Sequence, residues 1–193
     1  MGFVSVLSFA HQLIAQRVQA GEAVIDATMG NGVDTLFLCK LVGQDGSVYG
    51  FDVQQQALDQ TQERLTKELE PPHSPTVLLS LCGHELMDQV IPVDQHGTIS
   101  AVTFNLGYLP GADPSTITKF ETTQAALNSA IQLLRKGGII TIVLYRGHEG
   151  GQQEADAVEQ WAAGLSPAGY QVLRYAFTNA VNLPPYLLAI EKR

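Results

Sequence analysis

Asp26-Ala27-Thr28-Met29-Gly30-Asn31-Gly32-Val33-Asp34-Thr35 carries the clearest chemistry in the chain. It follows the apolar run Ala23-Val24-Ile25 and leads into Leu36-Phe37-Leu38, so it reads as a strand ending in an acid, a glycine turn and a helix. Glycine lets backbone approach a ligand closely, and the N–H groups at the start of the following helix are unspent. Such a turn cradles a nucleotide-like molecule, with Asp26, Met29, Gly30, Asn31, Gly32, Asp34 and Thr35 as candidate ligand residues. A second acid, Asp52, closes Ser47-Val48-Tyr49-Gly50-Phe51, where a carboxylate can accept hydrogen bonds from both hydroxyls of a ribose. Asn105-Leu106-Gly107-Tyr108 ends another apolar run. There, the Asn105 side-chain oxygen and the next carbonyl can accept N–H bonds from an amine, and Tyr108 can stack on a base. Tyr108 and His148 are the candidate bases for such an amine.

These residues require a frame. A helix over 5–20 places Val6, Phe9, Ala10, Leu13 and Ile14 on one face and ends at Gly21, with His11 expected only to pack. Strands are predicted over 22–27, 47–52, 76–81, 99–105 and 139–145. Helices are predicted between them: the one entering at Leu36, one over 54–70 stopped by Pro71-Pro72, a short one over 85–90, and one over 115–134 followed by a turn at Lys136-Gly137-Gly138. A helix ending near Leu165 precedes two last strands, over 170–178 and 183–191. Five strand–helix rounds imply a parallel sheet covered on both faces, whereas the short gap before the last strand forces antiparallel pairing. The expectation is one α/β domain over 1–193: a Rossmann-like, seven-stranded, mostly parallel sheet with an antiparallel C-terminal hairpin strand.

Two ligand classes use a glycine turn after the first strand and an acid after the second. A dinucleotide fold needs a third glycine for close helix–strand packing, and Thr35 stands in its place, so a nicotinamide oxidoreductase is the weaker alternative. S-adenosylmethionine has no pyrophosphate to neutralise, and its ammonium and carboxylate suit Asp26 and the turn amides. The antiparallel final strand favours it.

The pattern resembles a class I methyltransferase, with Thr28 replacing the first glycine of that family's Asp-x-Gly-x-Gly-x-Gly motif. The cradle, Asn105-Leu106-Gly107-Tyr108-Leu109-Pro110, Tyr145-Arg146-Gly147-His148-Glu149-Gly150-Gly151 and Asn182-Leu183-Pro184-Pro185-Tyr186 together resemble one small family, labelled "putative rRNA methylase". Its characterised members methylate the aminomethyl group of the wobble (2-thio)uridine of tRNA. That resemblance implies S-adenosylmethionine as cofactor, held by Asn31, Asp52, Gln54, His84 and neighbours such as Gly83, with Asn105 beside the methyl group. It implies the tRNA anticodon region as partner, with rRNA or a small-molecule amine as alternative acceptors. Asn182-Leu183-Pro184-Pro185-Tyr186 contains a literal Pro-Pro-Tyr but lies at the final hairpin, and is expected to be a rigid turn bordering the pocket.

Composition sets the remaining bounds. At 193 residues with 45% hydrophobic and 16% charged residues, the chain suits one well-filled core. No apolar run reaches the ~18 residues of a membrane span, and the start lacks the basic and apolar regions of a secretory signal. Two cysteines, Cys39 and Cys82, are too few for a disulfide scaffold. A cytoplasmic protein follows, with no metal site and a homodimer as a possible assembly. A net charge of −8 argues against broad nucleic-acid binding but leaves room for a local basic face, for which Arg135, Lys136, Arg146 and Arg174 are candidates.

Overall fold

A computed structural model describes residues 2–69, 74–107 and 117–193. In chain order its elements are α1 (Val6–Ala15), β1 (Ala23–Asp26), α2 (Val33–Val42), β2 (Ser47–Asp52), α3 (Gln55–Glu68), β3 (Thr76–Leu81), α4 (Met87–Val90), β4 (Ile99–Leu106), α5 (Phe120–Leu133), β5 (Leu134–Leu144), α6 (Gly151–Ala163), β6 (Tyr170–Tyr175) and β7 (Tyr186–Lys192). The strands form one seven-stranded sheet in the order β3-β2-β1-β4-β5-β7-β6. β3, β2, β1, β4 and β5 are parallel, and β7 is antiparallel to both β5 and β6. This is the expected architecture.

Alternating side chains divide the core into two layers. Val24, Val48, Ala101, Ile139 and Val143 pack with Val6, Ala10 and Ile14 of α1, Leu38 and Val42 of α2 and Leu65 of α3. Ile25, Phe51, Phe104, Ile140 and Ile142 face Met87 of α4, Leu127 of α5 and Val158 of α6. β1 is buried along its whole length, which explains its unbroken apolar run. Its neighbours are β2 on one side and β4 on the other. The connections therefore reverse direction at β1, and a crevice opens there at the carboxyl ends of the strands, where sheets of this kind bind ligands.

Several boundaries differ from expectation. α1 ends at Ala15, because Gly21 (φ +86) serves the turn into β1, where its N–H donates to Val42 O at 2.8 Å. The helix expected over 85–90 is a 3-10 turn, His84–Leu86, followed by α4. The expected turn Lys136-Gly137-Gly138 lies within β5: Gly137 (φ +73) forms a bulge as pairing passes from Ile99↔Leu134 to Ala101↔Ile139. α5 starts at Phe120, later than Ser115, which with Pro71 and Pro72 lies outside the described residues. β6 stops at Tyr175 and β7 begins at Tyr186, so a longer loop joins them than expected, although the pairing is antiparallel as expected.

Candidate active site

A cavity of about 590 Å³ opens at the crevice. The turn after β1 forms its floor and is pinned from three sides. Met29 N donates to Phe51 O at 3.0 Å, Thr61 Oγ1 of α3 to Gly30 O at 3.2 Å, and Arg64 Nε to Asn31 O at 2.8 Å. Gly30 (φ +51) and Gly32 (φ +77) both take left-handed backbone. A Cβ on Gly32 would lie 2.8 Å from Thr61 Cα, so this glycine lets α3 press against the turn. Thr28, which replaces a motif glycine, accepts the Asn105 backbone N–H on Oγ1 at 2.7 Å and ties the turn to the end of β4.

Asp52 ends β2 on the wall. One oxygen accepts from Gly30 N at 3.1 Å and the other from Gln54 N at 3.0 Å. Each oxygen keeps a further lone pair, so the carboxylate is held in place with acceptor capacity left for a vicinal diol. Met29, Gly30, Asn31, Asp34, Gln54, Gly83, His84 and Asn105 also line the cavity. Asp26 and Thr35 do not. Asp26 is fully buried beneath the turn, accepting from Thr35 Oγ1 at 2.6 Å and Thr28 N at 3.2 Å. Burial, and next the negative charge of Asp34, pushes its carboxyl up to about 7. Asp26 thus braces the turn instead of meeting a ligand, and Thr35, in the place of the dinucleotide fold's third glycine, is its partner. Gly32 caps α2 behind the wall.

A second group sits where β4 ends. Asn105 Nδ2 donates to Asp34 Oδ2, and His11 Nε2 lies 2.5 Å from Asp34 Oδ1. An ionised carboxylate only accepts, so both neighbours donate, and the orientation of the Asn105 amide is fixed. Its Oδ1 is buried without a hydrogen-bond partner among the described residues. Asn105 itself lines the cavity. His11 stacks parallel on Phe37, with ring centroids 3.9 Å apart, and lines the cavity with Leu7, one helical turn earlier on α1. The sequence reading missed His11, because on an amphipathic helix it looks like any half-exposed residue and its partner is remote in sequence.

The opposite wall holds His84, which is buried and edge-on to Phe104. Its Nδ1 lies 3.1 Å from Ala27 O, which can only accept, so Nδ1 carries the hydrogen. Burial lowers its pKa, leaving a neutral ring with Nε2 as an acceptor. His148 is half-buried in the loop after β5, where Nδ1 contacts Glu149 O at 2.9 Å; a Cβ on Gly107 would lie 3.6 Å from Nε2. It borders the cavity without lining it. Tyr108 lies outside the described residues. Thr118 N donates to Gly107 O at 3.0 Å, and buried Glu154 accepts from Thr118 and Thr123 hydroxyls, each at 2.7 Å, which fixes the far side of the mouth. Tyr186 is not at the mouth. It begins β7, buried. Nor do the four candidate basic residues share a face: Arg135 pairs with Glu22 at 2.9 Å at the amino end of β5, away from the cavity.

The sequence model of the family described as "Putative rRNA methylase" matches residues 48–191. A protein of Arabidopsis thaliana named tRNA (mnm(5)s(2)U34)-methyltransferase, chloroplastic, is 38% identical over 190 residues, which cover 95% of this chain and 68% of that one. A "putative rRNA-methylase" from Clostridium thermocellum is 41% identical with a TM-score of 0.93, each chain covered in full. A protein of Streptococcus mutans solved in complex with SAH is 36% identical with a TM-score of 0.87, again with both chains covered in full.

Proposed function

This chain belongs to the rRNA methylase family, and we propose that it transfers a methyl group from S-adenosylmethionine to the exocyclic aminomethyl nitrogen of the wobble uridine in tRNA, converting 5-aminomethyl-2-thiouridine to 5-methylaminomethyl-2-thiouridine. The carrying observation is Asn105, whose amide nitrogen donates to Asp34 while its buried oxygen has no partner among the described residues. An amine N–H supplies one. The name of the Arabidopsis relative supports tRNA as substrate, and the SAH bound by the Streptococcus protein supports the cofactor.

The cavity fits that cofactor. Asp52 has lone pairs for two ribose hydroxyls, the left-handed Gly30 leaves backbone open to close approach, and Asn31, Gln54, Gly83 and neutral His84 complete the wall. The cofactor supplies an electrophilic methyl on a sulfonium. The protein's part is to present the acceptor nitrogen in line with its lone pair free. An alkylamine resembles lysine, whose pKa is about 10.4, and reaches the site mostly protonated. Accepting an N–H on Asn105 Oδ1 directs the remaining lone pair, and His148 beside Gly107 takes the surplus proton.

Among the described residues no helix is long and apolar enough to cross a membrane. A cytoplasmic location, contact with the tRNA anticodon region and a homodimer accompany this reading. The test is mass spectrometry of tRNA nucleosides from a strain lacking the gene: 5-aminomethyl-2-thiouridine accumulates, and purified protein with S-adenosylmethionine converts it. Absence of that intermediate refutes the tRNA assignment. The same digest of rRNA addresses the substrate in the family's description.

A further inference from the structure

A chain of net charge −8 must hold a polyanion if it methylates tRNA, and several of its cations are already committed. Arg17 pairs with Glu191 at 2.6 Å, Arg135 with Glu22 at 2.9 Å, and Arg64 and Lys40 with Glu68 at 3.2 and 3.6 Å. Lys192 donates to the carbonyls of Ile131 and Leu134. Arg146 differs. No carboxylate or carbonyl among the described residues meets it, and its Nε is buried without a hydrogen-bond partner. Its guanidinium lies 4.9 Å from the centre of the Tyr186 ring, and that of Arg174 lies 4.8 Å from the same centre. Tyr186 is 2% exposed, so the ring is a fixed platform. Arg174 has one carboxylate contact, Glu159 at 3.3 Å, with half its side chain in solvent.

We propose that Arg146 and Arg174, carried on Tyr186, form the anchor for a backbone phosphate of the RNA beside the acceptor cavity. Cation–π stacking holds a guanidinium in position without using its N–H donors, so the fork stays ready for phosphate oxygens. The position is right. Arg146 directly follows Tyr145, which lines the cavity; Tyr186 pairs with Leu144 at the carboxyl end of β5; Arg174 lies near the carboxyl end of β6, which runs parallel to β5. A phosphate held there belongs to a nucleotide close to the one whose base enters the cavity. Two cations near the carboxyl end of β5 also give RNA a local target that the net charge conceals.

This inference rests on the tRNA reading above, and its test separates the two. The probe is tRNA purified from a strain lacking the gene, and its affinity is measured by filter binding over a series of NaCl concentrations. Arg146→Ala is expected to weaken binding about tenfold and to lower the slope of log affinity against log salt by about one. Arg174→Ala is expected to shift both in the same direction. Arg146→Lys should retain the slope and lose part of the affinity, because a point charge replaces the fork. Lys67→Ala, an exposed cation on α3, should change neither, and SAH affinity by calorimetry should match wild type throughout, which also reports folding. Arg146→Ala and Arg174→Ala proteins that bind SAH normally and keep wild-type tRNA affinity and slope overturn the anchor and leave the methyltransferase reading intact. An equal loss in Lys67→Ala also overturns it, since the effect is then diffuse charge. Wild-type protein that neither binds nor methylates the tRNA overturns both.

Discussion

Asp34→Asn isolates the group at the end of β4. The carboxylate accepts from His11 Nε2 at 2.5 Å through one oxygen and from Asn105 Nδ2 through the other. Asparagine keeps the shape but has one acceptor and one donor end. If its oxygen faces His11, its NH₂ meets the Asn105 NH₂, and Asn105 must turn over to restore a hydrogen bond. That turn directs Nδ2, not Oδ1, at the acceptor amine. The exchange removes one charge-assisted hydrogen bond from the reacting arrangement, about 1.5–3 kcal/mol. At ~1.4 kcal/mol per factor of ten, kcat/KM should fall roughly ten- to hundredfold. Methyl transfer from labelled S-adenosylmethionine to tRNA lacking the modification measures kcat and KM, and calorimetry measures SAH affinity. Turnover should drop while SAH affinity changes by less than about threefold, because both Asp34 oxygens are engaged by His11 and Asn105 and asparagine keeps the residue's shape at the cavity wall. A variant with wild-type kcat refutes the reasoning, and one whose loss is matched by its loss of SAH affinity makes Asp34 a cofactor ligand instead.

Further outcomes follow from the same geometry. Asp52→Ala removes the anchored carboxylate and should weaken SAH binding at least about tenfold by calorimetry; unchanged affinity would remove Asp52 from the ribose site. Gly32→Ala combines left-handed backbone, roughly 1–2 kcal/mol, with a Cβ 2.8 Å from Thr61 Cα, so Tm should fall by at least about 5 °C; a Tm within about 1 °C of wild type would show that α3 yields freely. Asp26, pushed up to about 7 by burial, holds its proton in the folded state over a range where the unfolded chain, with the group near 3.8, has lost it. The folded state therefore binds more protons between those values, and this group's stabilisation declines as pH rises from about 4 to about 7. Asp26→Asn, always neutral, should gain Tm relative to wild type between pH 5 and pH 8 by differential scanning fluorimetry, and a constant difference would contradict the shift.

The strand–turn–helix units were legible because each carries its own local signal: Ile25 into Asp26, the glycine pair, then the apolar helical run Leu36-Phe37-Leu38. The antiparallel end was legible because no crossover helix fits between the last two strands, even though the loop proved longer. Boundaries failed where tertiary contacts overrode local preference. Lys136-Gly137-Gly138 has turn chemistry, yet pairing with β4 draws it into β5 as a bulge. Asp26 looked like a ligand because strand-end acids often are, and only the packed structure shows Thr35 and Thr28 consuming it. His11 and the Arg146–Tyr186–Arg174 stack were invisible for another reason. Each joins residues remote in sequence, and neither leaves a periodic trace.

Thr28 occupies a place where the wider class carries glycine, and its hydroxyl receives the backbone N–H of Asn105. The turn after β1 and the end of β4 are already joined by the strand ladder and by Ala27 N donating to Thr103 O at 2.9 Å, and this bond of 2.7 Å carries the junction one step further, to the cavity. Restoring the glycine would remove that last tie and leave the ladder in place. The departure from the motif thus stiffens the junction at the edge of the cavity, where a glycine would leave the Asn105 N–H without this acceptor.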